Sequence, residues 1–195
     1  VVNPADYSAD DLLQGLHLGK ETLPLILGNS TDLGGGTVVY QKLGAQWQAR
    51  IIRMGTSITQ VYTNAERSVY WIFFMHTAEA PGQIEYLHLT QNSARCGELD
   101  SPADINQPHW KMEYADLAAF NIDAKGDGIV QARADIYEDN EKSHTNWYQY
   151  KTDNNGEDWS KPLAADKPLK APTGVWQKAK ISKPDSGLLK SLSGL

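Results

Sequence analysis

The residues that could do chemistry gather between positions 133 and 150. Arg133, Asp135, Tyr137, Glu138, Glu141, His144, Trp147, Tyr148 and Tyr150 bring acids, a guanidinium, an imidazole and aromatic rings into one short span. Such a rim suits a sugar, because rings stack on the apolar face of a pyranose while carboxylates and arginine take its hydroxyls. Arg133, Tyr137, Trp147, Tyr148 and Tyr150 are therefore the expected ligand-binding set. The opposing expectation is that the rings are core and the charges solvated, since Tyr and Trp are common in any β domain.

Catalysis makes stricter demands. Glycoside hydrolysis needs two carboxyl groups at a set separation, one of them with a raised pKa. Glu85, Glu113, Asp135 and Glu138 have the right chemistry, yet nothing in their spacing pairs any two. His76, His88, His109 and His144 could move protons and are equally unconstrained. The catalytic candidates are thus His76, His88, Asp135, Glu138 and His144, without a dyad among them. His76 and His88 would face each other across a hairpin centred on Pro81-Gly82, as a proton-transfer or metal pair. Lone histidines in strands are more often structural, and no metal ligand is assigned. The stretch Asn121 to Gly128 offers oxygens that could hold calcium, but it lacks the spacing and terminal Glu of the twelve-residue loop. A plain turn is expected there, and no cofactor. Gly34-Gly35-Gly36 lacks the Gly-Lys-Ser/Thr ending of a phosphate loop and reads as a loop or bulge. Gly-x-Ser-x-Gly, His-Glu-x-x-His and paired Cys-x-x-Cys are all absent, which lowers the esterase, zincin and zinc-ribbon readings.

The elements that must position these residues read as strands. From Thr37 to Thr90 the spacing predicts an antiparallel meander with strands at 37–42, 46–54, 57–63, 68–76 and 83–90, because the intervals are too short for helical crossovers. Residues 68–76 are nearly continuous in apolar side chains and are the expected central strand. Residues 91–111 show no periodicity and read as a long connection. Met112 to Ile122 leans to strand. Gly128 to Tyr137 alternates most clearly, with Val130, Ala132, Ala134 and Ile136 on a core face and Gln131, Arg133, Asp135 and Tyr137 on a polar one. Glu138 to Thr145 reads as a charged loop. Val175-Trp176 marks a last short strand.

Ser8 can cap a short helix over residues 1–18, with Asp10 and Asp11 in its first turn and Leu12, Leu13 and Leu16 as its stripe. The expected organisation is a single domain over 1–195, with a β core at 37–181 and a polar tail at 183–195. The chain has 195 residues, 41% hydrophobic and 22% charged, an ordinary globular composition. Its net charge of −6 argues against a general nucleic-acid binder, which needs a Lys/Arg excess. No apolar run approaches the roughly 18 residues of a membrane span. The opening at Val1, six Trp, nine Tyr and a single cysteine lead to the expectation of a processed protein of the extracellular space or periplasm, without an internal disulfide. Cys96 is expected to be a buried or idle thiol.

One stretch resembles a known family. Thr152-x-Asn154-x-Gly156-x-Asp158-Trp159, followed by Ser160-Lys161-Pro162, is similar to the Asp-box (BNR) repeat of sialidase-type β-propellers, Ser/Thr-x-Asp-x-Gly-x-Thr-Trp. Asn154 stands where the family has Asp, and Asp158 where it usually has Thr. The resemblance is confined to residues 152–162 and implies a structural hairpin turn in a glycan-related protein, without a catalytic residue. A full propeller needs about 40–50 residues per blade and does not fit this length.

These readings converge on an all-β, mainly antiparallel barrel or sandwich with a short N-terminal helix. The leading function is a secreted domain that recognises or processes carbohydrate through the aromatic-acidic rim. A second is a lipocalin-like barrel that binds or converts a small apolar ligand. It rests on the meander from Thr37 to Thr90, the N-terminal helix and the aromatic strand 68–76; Gly44-Ala45-Gln46-Trp47 loosely resembles the lipocalin Gly-x-Trp, with one residue too many. A third is a non-catalytic structural or interaction domain.

Overall fold

The computed structural model describes residues 16–18, 25–30, 36–43, 46–53, 56–76, 84–90, 92–102, 110–139, 141–165, 167 and 175–179. These form thirteen strands and no helix: β1 (Leu16–Leu18), β2 (Leu25–Ser30), β3 (Gly36–Leu43), β4 (Gln46–Arg53), β5 (Thr56–Thr63), β6 (Val69–His76), β7 (Ile84–Thr90), β8 (Ala94–Leu99), β9 (Trp110–Ile122), β10 (Gly128–Glu138), β11 (Glu141–Thr152), β12 (Leu163–Ala165) and β13 (Gln177–Lys178). All strand pairings among the described residues are antiparallel. Sheet A has the order β1-β2-β3-β4, sheet B β13-β5-β6-β7-β8, and sheet C β12-β11-β10-β9. No helix among the described residues is long and apolar enough to cross a membrane.

Sheets B and C share one core. From B come Tyr62, Trp71, Phe73, Ile84, Tyr86 and Leu99; from C come Leu117, Phe120, Ile122 and the inward row Val130, Ala132, Ala134 and Ile136, with Tyr148 and Tyr150. The four small or branched residues of β10 leave room for the rings of the opposite sheet. Phe120 accordingly sits within 5.1–5.5 Å of Tyr62, Phe73 and Trp71. Val61, Tyr70, Ile72, Phe74, Leu87 and Leu89, on the other face of sheet B, are buried as well. This explains the nearly unbroken apolar run of β6: a strand covered on both sides has no polar phase.

Several expectations change. No barrel closes among the described residues, because the meander from Thr37 to Thr90 divides between two sheets, β3–β4 in A and β5–β7 in B. The strands begin before residue 37, and Leu16–Leu18, expected at the end of a helix, form β1 against Leu25–Leu27. Residues 1–15 and the tail 183–195 lie outside the described residues. The connection 91–111 contains β8, an edge strand whose exposed alternate residues left no apolar pattern to read. Cys96 is exposed there. The charged segment 138–145 is no loop: β10 and β11 continue to the Glu138–Glu141 pair, and Asp139, at φ 48°, takes the left-handed conformation that Asp tolerates in tight turns. The final strand lies two residues beyond Val175-Trp176, because Trp176 is spent on the core. Its ring packs at 5.5 Å against Phe120, and its Nε1 donates to the Ile122 carbonyl at 3.0 Å.

Candidate functional site

The polar face of sheet C is where the expected rim lies. Its spine is β10, whose alternation sends Gln131, Arg133, Asp135 and Tyr137 away from the core. Across from them β11 places Gln149 opposite Gln131, Trp147 opposite Arg133 and Thr145 opposite Asp135. Six positions of strand separate Asp135 from Ile129, so this track is ~20 Å long.

β9 contributes through two irregularities. The register against β10 slips between Gln131 and Ala132 and again between Arg133 and Ala134. Each extra residue reverses which side chains face the core. Between the two slips Leu117 is therefore turned inward and Asp116 outward, opposite Arg133. Arg133 Nη2 lies 3.5 Å from Asp116 Oδ2. Asp116 was missed from sequence, since a continuous strand would have put it on the other side.

Asp135 is held by neighbours. Its Oδ1 accepts from Thr145 Oγ1 at 2.7 Å, and its Oδ2 lies 2.8 Å from Lys142 Nζ. Burial works to raise its pKa, but the bonds from Lys142 and Thr145 and the charges of Lys142 and Arg133 outweigh that and hold it below the usual carboxylate value. An acid catalyst would need the reverse.

The expected ligand set divides. Arg133, Tyr137 and Trp147 are half-buried on the outer face. Tyr148 and Tyr150 are core residues, 1% and 0% exposed; the Tyr150 hydroxyl donates to the Asp100 carbonyl at 3.0 Å. They are corrected from rim to interior, because the alternation of β11 turns Trp147, Gln149 and Lys151 outward and these two inward.

The catalytic candidates do not assemble. Glu138 is exposed at the far end of β10, and His144 is exposed near the same hairpin tip with Nδ1 3.2 Å from Ser143 Oγ. His88 is on sheet B, opposite Trp71 on one side and Arg95 on the other. It stacks on Trp71 at 4.4 Å. Burial, and then the Arg95 charge, push its pKa down to about 4. The supposed His76–His88 pair is excluded by register: Trp71 meets His88 and Met75 meets Ile84. On that register His76 and His88 are offset by about five strand positions, ~16 Å along the sheet.

At the Gly128 end of the track lies a groove of about 610 Å3, lined by Asp127, Lys151, Asp153, Asp158, Trp159 and Ser160 among others. Two turns shape it. In 152–158, Thr152 Oγ1 accepts from the Gly156 N–H at 2.9 Å and donates to Asn154 Oδ1 at 2.8 Å, while Asn154 Oδ1 accepts from the Asp158 N–H at 3.0 Å. In 123–127, Asp123 Oδ1 accepts from the N–H groups of Lys125 and Asp127 at 2.8 and 3.0 Å. Asp123 is thereby used by its own turn. No group of three or more His, Cys, Asp or Glu side chains gathers for a metal among the described residues. The turns are joined by the Asn155 N–H donating to the Gly126 carbonyl at 3.0 Å.

Sheet B fixes the outer turn. Arg95 Nη2 donates to the Gly156 carbonyl at 2.9 Å, and its guanidinium lies 5.8 Å from the Trp71 ring centre. Trp159 meets Trp71 edge-on at 6.1 Å. Comparison of the chain with family models, curated proteins and solved structures finds no match.

Proposed function

We propose that this domain recognises carbohydrate along the outer face of sheet C, as a non-catalytic binding module of the extracellular space or periplasm. The observation that carries the reading is the placement of the half-buried Trp147 directly opposite Arg133. A ring and a guanidinium side by side supply the stacking surface and the hydroxyl donors that a pyranose needs. Asp116, Asp135 and Thr145 flank them, and the groove beside Trp159 lies at the Gly128 end of the same strands. The scattered histidines and the lowered Asp135 favour binding over hydrolysis. The 152–160 turn, read as a divergent Asp-box, has the structural role of holding the end of β11.

Calorimetric titration with a panel of oligosaccharides tests this. Trp147→Ala should weaken binding about 5- to 100-fold, a loss of about 1–3 kcal/mol, with the melting temperature nearly unchanged. A wild-type protein that binds no oligosaccharide at millimolar concentration, or a Trp147→Ala variant that binds as well as wild type, would overturn the proposal.

A further inference from the structure

The outer face of sheet C is not open along its whole length. Gln131 and Gln149, the cross-strand pair next to Arg133 and Trp147, are enclosed at 1% and 7% exposed. The groove at the Gly128 end is open, and its charge is one-sided. Asp127, Asp153 and Asp158 line it against a single cation, Lys151, and all four are exposed. Among the described residues no hydrogen bond or ion pair reaches the carboxylates of Asp127 and Asp153, whereas Asp158 Oδ2 accepts from Asn154 Nδ2 at 3.1 Å. The ring beside them is held in place: Trp159 meets Trp71 edge-on at 6.1 Å and Tyr86 at 6.5 Å, and its half-buried indole lines the groove. The hydroxyls of Thr152 and Ser160 are taken up by their own turn. Two uncommitted carboxylates, one ammonium and a fixed ring are therefore what the groove offers a ligand.

Such a lining selects its occupant. Ionised carboxylates only accept, and pair best with a cationic donor. A ring face takes an apolar or cationic group. The Lys151 ammonium only donates, and calls for a neutral acceptor. A protonated amino sugar meets all three demands, with an ammonium for the acids, hydroxyl oxygens for Lys151 and an apolar C–H face for the indole. A lysine side chain lacks the acceptor and sets its own charge against Lys151. A uronic acid is repelled, because three carboxylates face one ammonium. We propose that this groove binds a protonated amino-sugar residue, with Asp127 and Asp153 taking the ammonium and Trp159 the ring face. Its volume of about 610 Å3 falls within the roughly 300–1,000 Å3 of small-ligand sites. The proposal rests on the carbohydrate reading for the class of ligand and adds a second, charge-selective opening to it.

The test is calorimetric titration, at mildly acidic pH, with a glucosamine tetramer, a neutral glucose tetramer, a uronic-acid tetramer and tetralysine. Wild type is compared with Trp147→Ala and with the double variant Asp127→Asn, Asp153→Asn. Wild type should bind the glucosamine tetramer about three- to tenfold more tightly than the neutral one. High salt and the double variant should each remove that margin, since exposed charges are screened. Both side chains are exposed and outside the turn's hydrogen bonds, so the double variant should melt at the wild-type temperature. Should it not, Asp153→Asn alone serves in its place and should lose part of the margin, about two- to threefold. Equal affinity for neutral and amino tetramers, a preference for the uronic tetramer, or a margin that survives both substitutions refutes the groove site and leaves the carbohydrate reading standing. Tetralysine bound as tightly as the glucosamine tetramer refutes it too, because charge alone would then suffice. If the double variant loses the margin while Trp147→Ala binds as wild type does, the groove stands and the Trp147 reading falls. If no sugar tetramer binds wild type, both fall.

Discussion

Replacing Gly156 by alanine should destabilise the domain by about 2–4 kcal/mol. Gly156 has φ 72°, where an L side chain costs about 1 kcal/mol or more. Its new Cβ would fall 2.6 Å from Trp71 Cη2 and 3.0 Å from Trp159 Cζ2. Trp71 cannot yield easily: it is 1% exposed and has Tyr86, Phe120 and Phe73 at 5.3, 5.5 and 6.2 Å. Forcing an extra carbon into such packing typically costs about 1–3 kcal/mol. For a domain of this size the sum corresponds to a fall in melting temperature of roughly 5–15 °C. Urea unfolding and thermal melts measure it, with Asn155→Gly as the control. Asn155 also has a positive φ, 58°, and its replacement should change stability by less than about 1 kcal/mol. A loss below about 1 kcal/mol in Gly156→Ala would refute the close seating of this turn on Trp71.

Acid should weaken the fold through His88. Its folded pKa is about 4, against an ordinary 6.5, so the unfolded chain binds the extra proton first, and stability present above pH 6.5 is lost as pH falls toward 4. Full sealing would make this about 3 kcal/mol; partial contact with solvent reduces it to on the order of 1–2 kcal/mol. His88→Gln should flatten that part of the stability–pH curve, and an unchanged curve would rule His88 out as its source. Tyr150→Phe removes the bond to the Asp100 carbonyl and should cost about 0.5–1.5 kcal/mol in urea unfolding, with oligosaccharide binding unaltered. Weakened binding in that variant would return the ring to the site.

What could be read from the chain depended on whether burial imposes a period. On β10 the small and branched residues alternate with polar ones, so the two faces are legible from the chain alone. Glycines and short polar turns bounded β3 to β7 to within a residue. Tyr148 and Tyr150 escaped because tyrosine is at home both in a core and at a wet surface, so ring content alone does not say which phase of β11 faces in. Asp116 escaped because the register slips depend on pairing with β10, which leaves no local signature. The His76–His88 error came from the hairpin centre, which a turn-forming Pro-Gly suggests but does not determine. Gln131 was assigned to the right face, but its enclosure is a tertiary property that no pattern along one strand records.

The register slips in β9 have a consequence beyond orienting Asp116. With thirteen residues at the outer side of sheet C, an uninterrupted β9 would offer a long flat template to the backbone of another molecule. Two inserted residues break its regular ladder against β10 and add local twist, so only short regular stretches remain for a foreign strand to match. The same insertions that swing one carboxylate to the surface thereby also discourage fibril-like self-association.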